Sequence, residues 1–303
     1  MESRQSLSRR RRAVENIGAV TKAMEVVAAV KMRKSQEAAL GSRPYAFKVL
    51  DLLEKLSRDS FLEASFMRRE PPKNTLVILV TSDRGLIGSF NTQVLRAFSA
   101  RGADGNYFVA VGKKAEAFLI KKNLPVLRKF YGFGDFISGS EIEPLSDFII
   151  NGYERGDWDR VLTFSMHFRS ALRQEALVRE IFPLDSRKIQ DLVSEIIPEH
   201  GRFAGLEKDS VSESGNREID YIFEPSKEEL LNNLMPHLLK MQIYHLILEA
   251  NASEHAARYV AMKNASDNAA GLSETLLIQY NKARQAAITG EIIEISATQN
   301  AMK

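Results

Sequence analysis

The carboxy-terminal end of this chain limits its fold more than any other feature. After Pro225 the only further proline is Pro236, and a helical pattern then runs for roughly 70 residues. At 1.5 Å per residue, such a helix is about 100 Å long, far more than a domain needs. Ser226 followed by Glu229 gives a capping-box start. The stripe Met262, Ala265, Ala269, Leu272, Leu276, Tyr280, Ala283 and Ala287 keeps spacings of three and four. A pattern of this length without an internal stop predicts a coiled coil, and its many alanines allow a partner helix to come close.

The other end of the chain offers that partner. Residues 1 to 58 contain no proline except Pro44, and apolar residues recur at Val14, Ile17, Val20, Met24, Val27 and Met32. This is the pattern of an amphipathic helix, which Gly41-Ser42-Arg43-Pro44 kinks or ends. Pairing the terminal helices antiparallel is the simplest way to bury both stripes. The carboxy-terminal helix is the longer, so part of it projects bare or enters another protein. Ile288, Ile292, Ile293 and Ile295 near its end then need foreign protein to cover them.

The middle of the chain has a different texture. Thr75 to Thr81, Asn106 to Val111 and Arg160 to Ser165 read as strands. Asn91 to Ala100, Lys113 to Lys122 and Pro144 to Glu154 read as helices between them. This alternation predicts a Rossmann-like α/β layer with a mostly parallel sheet. Residues 205 to 216 are polar and turn-rich, which predicts a mobile loop before a last strand at Glu218 to Phe223. The expected organisation is an N-terminal coiled-coil helix (1–58), an α/β domain (74–225) and a C-terminal coiled-coil helix (226–303), with the coil discontinuous in sequence.

Composition excludes several classes. The 303 residues are 44% hydrophobic and 27% charged, ordinary for a globular protein. A net charge of +3 does not by itself imply nucleic acid. The absence of cysteine removes disulfides, thiolate metal sites and cysteine nucleophiles. No apolar run approaches the ~20 residues of a membrane span. Arg9 to Arg12 are followed by Ala13-Val14-Glu15-Asn16 where an export signal needs an apolar stretch, so none is expected.

The candidate chemistry is thin. Thr81-Ser82-Asp83-Arg84-Gly85-Leu86-Ile87-Gly88-Ser89-Phe90-Asn91 lies between a strand and a helix, where a phosphate loop would sit. It matches neither phosphate fingerprint, so a tight turn competes with the phosphate reading. His167, His200, His237, His245 and His255 show no metal-ligand spacing. Asp157 and Asp159 flank Trp158, as an acid–base pair or as a solvated turn. No metal or cofactor is expected. Arg9 to Arg12, with Arg4, Lys22, Lys31, Arg33 and Lys34, form either a solvated helix face or a contact for an acidic partner. Acidic residues throughout both helices weigh against nucleic acid.

Several segments together resemble the γ family of F-type ATP synthases, in its bacterial form. They are Ala13 to Asn16 with Thr21 to Ala29 and Lys31-Met32-Arg33; Ser82-Asp83-Arg84-Gly85-Leu86 to Phe90-Asn91; and Tyr221 to Ser226. The strongest are Ala252-Ser253-Glu254-His255-Ala256-Ala257-Arg258 to Met262, and Tyr280 to Thr289 continuing to Ile295. The resemblance is colinear over nearly the whole chain. It implies a central rotor shaft with no catalytic site of its own, which couples proton-driven rotation of a membrane c-ring to the nucleotide sites of surrounding β subunits.

The same resemblance implies partners and contact residues. The partners are a ring of α and β subunits around the coil, with the ε subunit and the c-ring at the foot. Contact with the membrane is then through partners only, at the cytoplasmic face of a bacterial plasma membrane, and no nucleic acid is bound. Lys22, Met24, Arg258, Arg284, Gln285, Thr289 and Glu294 match positions that touch β or carry torque, and Tyr221 and Glu224 match the foot facing ε and the c-ring. The chain departs from the family pattern at Gly18, expected to weaken the first helix by up to ~1 kcal/mol, and Gly290 is a weak spot near the end of the last. The cysteine-containing regulatory insert of the chloroplast type is absent, so thiol control is not expected.

Overall fold

A computed structural model describes residues 3–41, 73–101, 107–133, 137–183 and 227–301. The expected loop at 205–216 and last strand at Glu218 to Phe223 lie outside them. The described elements are α1 (Arg4–Gly41), β1 (Thr75–Val80), α2 (Phe90–Arg101), β2 (Tyr107–Val111), α3 (Lys113–Lys121), β3 (Val126–Phe130), α4 (Gly139–Arg155), β4 (Arg160–Phe168), β5 (Gln174–Phe182) and α5 (Lys227–Ala301). They form two compact units. One joins residues Met1–Ala28 to Arg258–Lys303, and the other spans Ala29–Ala257. The division falls inside the two long helices rather than at their ends.

The larger unit is a five-stranded sheet in the order β3-β2-β1-β4-β5. β1 pairs in parallel with β2 and β4, β2 pairs in parallel with β3, and β5 returns antiparallel on β4. β1 is buried along its whole length, as expected of a central strand covered on both faces. Its alternate residues serve two cores. Leu76, Ile78 and Val80 join α4 and the Met235 to Ala250 stretch of α5. Val77 and Leu79 join Phe90, Val94 and Phe98 of α2 and Ala115 and Leu119 of α3. The unit is therefore helix, sheet, helix in layers, as the alternation predicts.

β3 and β5 are strands that the sequence reading missed. β3 is short, follows Pro125 and carries Arg128-Lys129 with three of its five residues exposed. β5 reads Gln-Glu-Ala-Leu-Val-Arg-Glu-Ile-Phe, whose Ala, Glu and Arg favour helices. It forms a strand because β4 supplies eight paired positions for it. α4 begins at Gly139 rather than Pro144. Ser138 and Glu141 form the capping box, with the Ser138 backbone N–H donating to the Glu141 carboxylate at 2.8 Å. Pro144 sits inside the helix, at the cost of one backbone hydrogen bond.

In the smaller unit the two long helices run antiparallel. Ser273 Oγ lies 3.3 Å from Glu15 Oε1, and a Cβ placed on Gly18 would lie 3.3 Å from the Ala269 Cβ. The two pairs share one register, in which position numbers rise on one helix as they fall on the other. The seam on α1 follows Leu7, Arg11, Val14, Gly18, Thr21, Glu25 and Ala28, all buried or half-buried. Its spacing alternates four and three, which is the heptad of a two-helix coil. On α5 the seam runs through Met262, Ser266, Ala269, Ser273, Leu276, Tyr280 and Ala283.

This seam differs from the expected stripe on α1. Val14, Met24 and Met32 are half-buried, but Ile17 and Val20 are 58% and 59% exposed and Val27 is also bare. Apolar spacing alone chose the greasier arc of the helix, whereas close packing against α5 chose the arc of small residues. On α5 the expected stripe holds at Met262, Ala265, Ala269, Leu276, Tyr280 and Ala283, while Leu272 and Ala287 are exposed.

Candidate functional site

The strand-to-helix turn after β1 uses its own polar groups. Asn91 Oδ1 accepts from the Ser82 backbone N–H at 3.1 Å. Asp83 accepts from the Lys113 backbone N–H at 2.9 Å with one oxygen and from the Gly132 N–H at 2.8 Å with the other. Thr81 Oγ1 accepts from the Ala115 N–H at 2.7 Å. The motif thus ties together the carboxyl ends of three parallel strands, and the Ser82, Lys113, Ala115 and Gly132 amides are spent on bonds within the protein. Of the two readings of this segment, the geometry favours the tight turn.

The Asp157-Trp158-Asp159 segment is also structural. Asp159 accepts from the Lys73 and Asn74 backbone N–H groups at 3.2 and 3.4 Å, and Asp157 pairs with Arg155 at 3.1 Å. Trp158 is buried, donates to the Ile149 carbonyl at 3.1 Å and lies against Gly152. Among the described residues no three His, Asp or Glu side chains are arranged to hold a metal. His200 lies outside those residues.

One charged cluster is buried in the larger unit. Glu249 of α5 meets Arg179 Nη1 of β5 at 2.7 Å with one oxygen and His167 Nδ1 of β4 with the other. Arg179 Nη2 lies 2.8 Å from the same ring nitrogen. Burial alone pushes the Glu249 carboxyl up. The Arg179 charge, then the His167 hydrogen bond and charge, and His245 beyond it, overcome this and hold it down at about 2. Sequence reasoning missed this cluster, because its members come from positions 167, 179 and 249 with no local spacing to join them.

The exposed surface of the coil is the remaining candidate. Lys22 is exposed and pairs with Glu25 at 3.0 Å; Met24 and Arg258 are half-buried. In the shared register Ala283 of α5 is level with Arg4, where α1 begins, so among the described residues α1 offers α5 no partner beyond it. From Arg284 to Gln299 every side chain is exposed and only Gly290 is half-buried. Arg284, Gln285, Thr289 and Glu294 all lie there, with Thr289 Oγ1 donating to the Gln285 carbonyl at 2.9 Å. Ile288, Ile292, Ile293 and Ile295 are bare beside them, as the sequence predicts. The expected contact residues therefore form two groups, one around Lys22, Met24 and Arg258 and one on the tip, about 39 Å apart along α5. Tyr221 and Glu224 lie outside the described residues.

Gly18 has a use that helix propensity does not show. Leucine there should drive the helices apart and lower the unfolding free energy by about 1–3 kcal/mol. Alanine should change little, because a propensity gain of up to ~1 kcal/mol offsets the 3.3 Å approach to Ala269. Thermal melts of the two variants followed by circular dichroism check this, and equal losses would show that the seam does not depend on close approach.

Comparison with known proteins gives a consistent result. A family model described as ATP synthase matches residues 3–302. An ATP synthase gamma chain of Roseiflexus castenholzii is 35% identical, covering 98% of this chain and 97% of its own length. Gamma chains of Salinibacter ruber and Geotalea daltonii are 34% and 36% identical, over 96% and 100% of this chain and 95% and 100% of theirs. Among solved structures, the Euglena gracilis mitochondrial ATP synthase (OSCP/F1/c-ring, rotational state 3) contains a chain that aligns over 99% of this one and 94% of itself, with a TM-score of 0.65 at 19% identity. A chain from the central stalk and c-ring of the Tetrahymena thermophila mitochondrial ATP synthase aligns over 82% of this one and 99% of itself, with a TM-score of 0.56 at 22% identity.

Proposed function

This chain belongs to the ATP synthase gamma-chain family, and from that premise we propose that its bare helix tip and exposed coil faces are the surfaces through which it turns the catalytic subunits. It is the central, non-catalytic shaft of an F-type ATP synthase, with α and β subunits around it and ε and the c-ring as its further partners. The observation that carries the mechanical reading is the antiparallel seam of α1 and α5, beyond which α5 continues with four isoleucines exposed among the described residues.

A shaft acts by differential contact. The two helices differ in sequence around the coil, so each β subunit meets a different arc at each angle. A contact that favours one β conformation at one angle shifts its equilibrium only by the difference in binding between the conformations. Arg284 and Gln285 offer guanidinium and amide donors at the start of the bare tip, suited to carboxylates or carbonyls on a surrounding subunit. Ile288, Ile292 and Ile295 supply the apolar area. Lys22, Met24 and Arg258 make a second zone lower on the coil, and Glu294 a charged contact near the end. Tyr221 and Glu224 face ε and the c-ring, and the assembly lies on the cytoplasmic face of a bacterial plasma membrane. The functional division follows residues 1–58, 74–225 and 226–303.

The test is co-expression with its α and β subunits and reconstitution of the complex. Arg284→Ala should lower coupled ATP synthesis by several fold while leaving assembly intact, because it removes an exposed contact and no core. Unchanged synthesis would remove Arg284 from the coupling surface. A chain that never co-purifies with α and β would remove the shaft reading altogether.

A further inference from the structure

α5 presents two lines to the larger unit. Met235, Leu239, Ile243, Leu246, Ile247 and Ala250 form an apolar line within the core shared with α4 and the sheet. Apolar packing is non-directional and tolerates small rotations of a helix. The second line, Gln242, His245, Glu249 and Ser253, is polar at spacings of three, four and four. Opposite it, β4 places Thr163, Ser165 and His167 on one face, all buried, while Leu162, Phe164 and Met166 serve the opposite core. The contact between Glu249 and His167 shows that these two polar lines meet.

We propose that Glu249, clamped between Arg179 and His167, is the torsional key that fixes the angle of α5 on the sheet, so that torque passes between the α/β layer and the shaft helix through this charged contact. The proposal rests on the rotor-shaft reading. Three elements converge on one carboxylate: β5 through Arg179, β4 through His167, and α5 through Glu249 itself. A side-chain tip lies 5–6 Å from a helix axis, so a turn of about 20° moves it by about 2 Å. That breaks a 2.7 Å hydrogen bond. The same turn leaves aliphatic side chains in contact with new neighbours. Thr163 Oγ1 donates to the Arg179 carbonyl at 3.2 Å, which holds β5 and its guanidinium in place on β4.

Glu249, Arg179 and His167 are thus positioning residues, and their removal must be separated from loss of folding. Three sets of variants do so in the assembled enzyme in sealed vesicles. Glu249→Gln keeps the shape and removes the charge. The triple variant Glu249→Leu, Arg179→Met and His167→Leu replaces the network with apolar groups, a change that often preserves stability. The swap Glu249→Arg with Arg179→Glu restores a pair of opposite sense.

The readouts are unloaded ATP hydrolysis, ATP-driven proton pumping against an imposed opposing membrane potential, and the melting temperature. The expected result is near-normal unloaded hydrolysis in the Gln and triple variants, with protons pumped per ATP under load falling about twofold or more, and partial recovery in the swap. Full pumping under load in either variant overturns the proposal. So does a loss in which hydrolysis, pumping and melting temperature fall in proportion, since that marks a structural role only. If the triple variant does not fold, Glu249→Gln alone decides. Failure of the unmodified chain to assemble with α and β refutes the shaft reading instead, and is seen before any variant is made.

Discussion

Alanine in place of Glu249 is expected to lower the unfolding free energy of the chain by about 3–5 kcal/mol. The variant leaves Arg179 and His167 buried with no carboxylate between them, which costs more than the lost contact itself. Denaturant titration at neutral pH measures this, and a loss below about 1 kcal/mol would show that the cluster is solvated in solution. The sign with pH is fixed by the direction of the shift. The folded carboxyl sits at about 2 against about 4.5 when unfolded. Its contribution is complete above the unfolded value and is lost as pH falls toward the folded one. The stability of the unmodified chain should therefore drop between about pH 4.5 and 2 more steeply than that of Glu249→Gln.

Valine at Gly112 should be nearly as damaging, at about 3 kcal/mol or more. Gly112 has φ of +92°, and a Cβ there would lie 2.2 Å from the Thr81 carbonyl oxygen. Its N–H also donates to the Phe130 carbonyl at 2.9 Å, so the backbone cannot move away without breaking the β2–β3 edge. Both neighbours are main chain, and no rotamer change relieves the clash. A variant that melts within a few degrees of the unmodified chain would mean that the turn can rebuild itself.

Length and spacing made the architecture readable. An uninterrupted pattern after Pro236 has few folded solutions, and three of the strands announced themselves as short apolar runs. β5 was hidden because its residues favour a helix when considered alone, and only the ladder on β4 overrides them. β3 was hidden by its brevity and its charges. The seam of the coil was partly hidden for a related reason. Gly18, Thr21 and Glu25 carry no apolar signal, yet they lie where the partner backbone comes closest, whereas Ile17 and Val20 are greasier and lie outside.

The proposed contact residues rest on resemblance alone, since Arg284 or Thr289 on an exposed helix has no local mark of function. The segment at Asp83 was legible only as a turn in competition with a phosphate loop, because it matches neither phosphate fingerprint. Its hydrogen bonds to the Lys113 and Gly132 backbones were not, since they join segments 30 and 49 residues away. The Glu249 cluster needed the fold itself.

The solitary end of α5 has an energetic consequence. A lone helical stretch of some eighteen residues is marginal in water, and Gly290 in its middle weakens it by up to ~1 kcal/mol. Amide hydrogens after Ala283 should therefore exchange quickly in the free polypeptide and slowly once other subunits surround it. On the proposed reading, those last turns gain their lasting order from the subunits around them and fray when those subunits leave.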